Sequence, residues 1–146
     1  VRGAVAVLAL VAVSSAGCVS PSRTDDDYRH KAANTAQTVA SSLQSARLAV
    51  KAAADGRTFG PYLSRVLADV EEDADGAQAS FDVVQPPSEN ADATHLELSG
   101  LLSDALDTLR ALRVLARRGD LPKLRDAAQS LGDLADKLDA FQDRVT

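Results

Sequence analysis

From residue 26 onward, apolar side chains return every three or four positions in four successive blocks, and all four prolines of this stretch fall at the breaks between blocks. At 3.6 residues per turn that spacing lines one face of a helix, whereas a half-buried strand would alternate strictly. The first block carries Tyr28, Ala32, Thr35, Val39, Leu43, Ala46, Val50 and Ala53, and the second Leu63, Leu67, Val70, Ala74, Ala77, Phe81 and Val84. The third carries Ala91, His95, Leu98, Leu102, Ala105, Leu109, Leu112 and Ala116, and the fourth Leu124, Ala127, Leu131, Leu134, Leu138, Phe141 and Val145. Each stripe keeps the near-heptad rhythm of knobs-into-holes helix packing.

The breaks carry matching chemistry. Asp55-Gly56 ends the first block, with glycine free to take positive φ, and Gly60-Pro61 opens the second with proline in the first turn. Pro86-Pro87 forces the next break, where Ser88 or Asn90 can cap the third helix. Arg117 and Arg118 complement that helix's negative end, Gly119 stops it, and Asp120 stands ready to cap the fourth. The expected helices cover about 26–54, 61–84, 89–117 and 121–145. Short connections make consecutive helices antiparallel neighbours, so the expected fold is all-α, an up-down-up-down four-helix bundle over residues 26–146. Gly76, Gly100 and Gly132 sit inside helices but off these stripes, where each costs about 1 kcal/mol relative to alanine.

The N-terminus is a different object. After Arg2, Gly3 to Val13 is an unbroken run of small apolar residues, followed by Ser14-Ser15-Ala16-Gly17-Cys18. Eleven residues match the h-region of an export signal and fall well short of the roughly 20 needed to span a bilayer. Ser15-Ala16-Gly17-Cys18 resembles the lipobox of bacterial lipoproteins, with serine where leucine is commonest. The resemblance implies that residues 1–17 are a cleaved signal peptide and that the thiol of Cys18 is acylated. Residues 18–25 then form a short tether, and the domain is held at the extracytoplasmic face of the cell membrane. Arginine outnumbers lysine 12 to 4 and isoleucine is absent, as in GC-rich bacteria such as actinobacteria. Acylation also accounts for a single cysteine, since a free thiol in an oxidising compartment is a liability.

Without residues 1–17, about 30 apolar side chains larger than alanine remain, enough for one small helical core. The formal charge of −5 argues against non-specific nucleic-acid binding, which needs a basic face.

Three constellations invite a chemical reading. Glu71, Asp73, Asp75, Gly76 and Asp82 fall at positions one, three, five, six and twelve of a calcium-loop pattern, although glutamate at the first position and aspartate at the last depart from it. Asp27 and Asp92 each precede a histidine, His30 and His95, by three residues. That spacing is similar to the carboxylate-x-x-His pairs of di-metal bundles, but His30 lies about 200° from Tyr28 around the helix and should face outward. Arg110, Arg113 and Arg117, with Arg118 beside them, form a basic stripe, expected to pair with Asp126, Asp133 or Asp136 on the next helix or to touch lipid phosphates or an acidic partner. Asp73, Asp75, Asp82 and His95 are thus the metal candidates; the expectation is no resident metal or cofactor. With no Gly-x-Ser-x-Gly turn and no phosphate-cradling glycine loop, catalysis is not expected. The expected role is binding or scaffolding with an envelope protein partner. A metal- or ligand-binding bundle and a self-associating coiled coil are the alternatives.

Overall fold

A computed structural model describes residue 22 and residues 24–146. Four helices account for nearly all of it: α1 (Asp25–Ala54), α2 (Gly60–Asp82), α3 (Glu89–Arg118) and α4 (Leu121–Val145). The chain is an all-α four-helix bundle, with each boundary within two residues of the position read from the sequence. The expected signal peptide, residues 1–17, and the expected acylation site Cys18 lie outside the described residues.

Local chemistry sets the ends. Thr24 rather than an aspartate caps α1, its side chain accepting from the amide of Asp27, so the helix begins at Asp25 with three acidic residues on its positive end. Ser88 caps α3 by accepting from the amide of Ala91 at 3.2 Å, and its hydroxyl donates to Asp25 at 2.8 Å, joining the starts of α3 and α1. Asp120 caps α4 through the amide of Lys123. The Lys123 ammonium and this amide bond hold the Asp120 carboxyl below its usual range. Gly119 takes φ 68°, closing α3 in the left-handed conformation glycine tolerates.

The four stripes meet in one continuous core in which Leu43, Leu67, Leu98, Leu109, Leu131 and Leu138 are fully buried. Neighbours in sequence are neighbours in space, and α1 closes the ring against α4 through the most extensive interface of the bundle. Across the diagonals α1 touches α3, whereas α2 and α4 do not meet among the described residues. The alanines of α1 explain the asymmetry. Ala33, Ala36 and Ala40 are buried beside the expected stripe, as is Ala135 on α4, and such short side chains allow close backbone approach. Gly132 belongs to the same interface, which corrects its placement off the packed faces. A Cβ there would lie 3.1 Å from the Arg47 guanidinium, so the missing side chain makes room for Arg47 to lie across α4.

Candidate functional site

Among the core side chains, Tyr28 carries a hydroxyl into the packed interior. Tyr28 lies on the first-block stripe one turn into α1 and is fully buried. A buried phenol needs a hydrogen-bond partner, and α3, running parallel to α1 across the bundle, supplies His95 from its own stripe. The Tyr28 hydroxyl and His95 Nδ1 are 2.7 Å apart. Phe81 of α2 completes the cluster, stacked on the His95 ring at 5.2 Å between centroids and tilted against Tyr28 at 5.6 Å. Burial, reinforced by the carboxylates of Asp82 and Asp92, pushes the Tyr28 phenol up to about 12. The phenol therefore stays protonated and can donate or accept, which satisfies either tautomer of a neutral imidazole. This is a polar latch between diagonal helices. Among the described residues the hydrogen-bond partner of His95 is Tyr28, and no serine hydrogen-bonds its ring.

The other metal candidates are dispersed. The calcium-loop pattern needs a chain that wraps its oxygens round an ion, but residues 71–82 continue α2 without interruption. On a helix, positions two apart point about 200° from each other, so Asp73 and Asp75 diverge. Asp75 faces Arg110 at 3.6 Å, while Asp82 accepts from the Ser99 hydroxyl at 3.4 Å. His30 is exposed, 3.8 Å from Asp26 on its own helix, and His95 is engaged by Tyr28 instead of by Asp92. Among the described residues no three His, Cys, Asp or Glu side chains converge as a metal centre requires.

The arginine stripe pairs on the opposite side from the one expected. Arg113 Nε lies 3.1 Å from Glu71 Oε2, an ion pair without hydrogen-bond alignment, and Arg110 reaches both Glu71 and Asp75, all on α2. Asp126, Asp133 and Asp136 on α4 take no part. These pairs frame a shallow cleft of about 380 Å³ between α2 and α3, lined by Asp75, Asp82, Asp107, Gln78 and Ser103. Its carboxylates are engaged by Arg110 and Ser99, and Gln78 reaches Ser103 at 3.5 Å.

A second group of cations was not visible in the sequence pattern. Arg47 and Lys51 on α1 and Arg125 on α4 line a pocket of about 260 Å³ floored by Val50, Ala54 and Ala128. Arg125 is fixed there by donating to the Ala54 carbonyl at 2.8 Å. The signal was spread over two helices distant in sequence and becomes local only when α1 meets α4. Comparison of the chain with protein families, with characterised proteins and with solved structures returns no match.

Proposed function

We propose that the protein is a lipid-anchored extracytoplasmic lipoprotein whose helical bundle acts as a binding or scaffold module at the cell envelope. The observation that carries this reading is Ser15-Ala16-Gly17-Cys18 directly behind the apolar run Gly3–Val13. Six residues separate Cys18 from α1 at Asp25, enough chain to span at most about 25 Å between lipid and helix. Among the described residues no helix is long and apolar enough to cross a membrane, so an anchor would have to come from outside the bundle. A surface role rather than catalysis is supported by the packed interior and by the engagement of His95 with Tyr28.

The test is Cys18→Ser in an actinobacterial host, followed by membrane fractionation and labelling with a clickable fatty acid. The wild-type chain should be labelled and sediment with membranes, and the variant should be unlabelled and released. Retention of unlabelled Cys18→Ser in the membrane fraction would overturn the anchor.

A further inference from the structure

The bundle is electrically polarised from end to end. Up-down topology brings the end of α1, the start of α2, the end of α3 and the start of α4 together, so residues 47–66 and 110–129 occupy one end. They hold ten of the fourteen lysines and arginines among the described residues but only three of the 21 acids, a formal +7. The rest of the described chain, including the end from which the tether leaves, carries −14. Several of these cations are not neutralised locally: Arg47, Lys51, Arg117 and Arg125 make no ion pair among the described residues.

Of six exposed large hydrophobic side chains among the described residues, Leu48, Phe59, Tyr62 and Leu121 lie at this end, and Val83 and Leu96 lie outside it. The chain has five aromatic residues, of which Tyr28, Phe81 and Phe141 are in the core. The other two, Phe59 and Tyr62, are 67% and 52% exposed beside each other, with ring centroids 6.2 Å apart, in and just after the α1–α2 connection. Leu121, 45% exposed, follows the α3–α4 connection at the same end. Neither loop is needed to close the core, so helix packing does not account for their exposure.

We infer that this end binds the surface of an anionic lipid bilayer, Phe59, Tyr62 and Leu121 entering the headgroup region while the surrounding cations meet lipid phosphates. Aromatic rings beside uncompensated Arg and Lys are the composition of interfacial membrane contacts, where each basic residue adds electrostatic attraction and the apolar groups add burial. The pocket between Arg47, Lys51 and Arg125, which Gln129 and Asp55 also line, offers an apolar-floored recess for a phosphate-bearing headgroup, the Asp55 carboxylate being paired with Arg57 at 2.7 Å. Phe59 and Tyr62 form one exposed pair at the start of α2, and Leu121 opens α4 at the same end of the bundle. This inference is separate from the Cys18 anchor: α1 is about 45 Å long and the tether shorter, so a bundle anchored at Cys18 makes this contact lying along the bilayer, not standing on its basic end.

The chain contains no tryptophan, which gives the test a local reporter. Phe59→Trp places one at the basic end and Leu96→Trp, at a site 73% exposed in the acidic half, serves as the control. The full chain of each is titrated with vesicles of phosphatidylcholine containing about 40% phosphatidylglycerol, with pure phosphatidylcholine vesicles, and with poly-glutamate. The expected result is a blue shift of tryptophan emission in the Phe59→Trp chain on the anionic vesicles alone, with emission of the Leu96→Trp control unchanged. Adding Arg117→Gln and Arg118→Gln to Phe59→Trp should weaken the partitioning read from that emission roughly 25-fold, about fivefold per residue, from about 1 kcal/mol for each basic group at an anionic surface. Circular dichroism on the same samples reports whether the bundle is intact. No shift on anionic vesicles, an equal shift on neutral ones, a shift that ignores the arginine changes, or a response to poly-glutamate without a response to vesicles would each overturn the inference. The last of these would assign the end to an acidic polypeptide.

Discussion

Replacing Tyr28 by phenylalanine removes the hydrogen bond between the stripes of the diagonal helices α1 and α3 while leaving the Ser88–Asp25 bond at their starts in place. The aromatic ring stays, so its packing on Phe81 survives and no cavity opens; only the hydroxyl is lost. Removing the bond itself costs about 1 kcal/mol, and leaving His95 Nδ1 against an apolar ring adds a penalty near the lower end of roughly 1–3 kcal/mol, because His95 is only half-buried. The expected destabilisation is therefore about 1–2 kcal/mol, a fall in Tm of roughly 4–10 °C for a domain of this size. Urea unfolding followed by circular dichroism measures it directly. A double-mutant cycle with His95→Phe sharpens the test: with both polar partners removed nothing is left unsatisfied, so the two changes should couple by about 1 kcal/mol. If Tyr28→Phe unfolds within about 0.3 kcal/mol of wild type, or if the cycle is additive to that precision, the latch contributes nothing and the reasoning fails.

Three further outcomes follow from the same geometry. Because the phenol of Tyr28 is raised from 10.0 to about 12, the folded state keeps a proton that the unfolded chain loses. The resulting stabilisation is fully present below pH 10 and is lost as pH climbs toward 12. Tyr28→Phe should lack that alkaline decline, and parallel pH profiles for the two proteins would contradict the assignment. Gly100 has nothing within 4 Å of an added Cβ, so Gly100→Ala should stabilise by about 0.5–1 kcal/mol in thermal or urea unfolding. Gly132→Ala should gain less, since Arg47 must swing away, and Arg47→Ala in the same chain should restore the difference; a larger gain from Gly132→Ala alone would refute the seat. Ser88→Ala removes both the cap on α3 and the bond to Asp25, and should cost about 1–2 kcal/mol in the same assay, with a loss confined to a few tenths counting against it.

Helix positions were legible in the sequence because apolar spacing and end chemistry agreed at the breaks: Gly119 and Asp120 between α3 and α4, Pro86-Pro87 and Ser88 before α3, Gly60-Pro61 before α2. What the sequence left open was which face meets which neighbour. Arg110, Arg113 and Arg117 flank the Leu109-Leu112-Ala116 stripe on one side, and whether that side meets α2 or α4 depends on the handedness of the bundle. Four similar amphipathic helices do not specify that handedness, and Arg110 and Arg113 turn toward Glu71 and Asp75. The small residues of the α1–α4 interface were hidden for a related reason. Alanine and glycine scarcely mark a hydrophobic pattern, so Ala36, Ala40, Gly132 and Ala135 did not register as a second packed face. The Tyr28–His95 pair was within reach, as both lie on stripes and start parallel helices, but only the relative heights of α1 and α3 bring the two rings together. The aromatic, basic end was likewise dispersed over two loops some 60 residues apart.

The claim on which the functional account rests is that Cys18 becomes the lipidated first residue of the mature protein. Intact-mass and N-terminal peptide mass spectrometry of the protein extracted from its own membranes tests it most directly. The account predicts a chain that begins at Cys18 and carries the added mass of diacylglycerol, with or without a further acyl group on its amine. A chain that retains residues 1–17, or one that begins elsewhere with an unmodified Cys18 thiol, would contradict it.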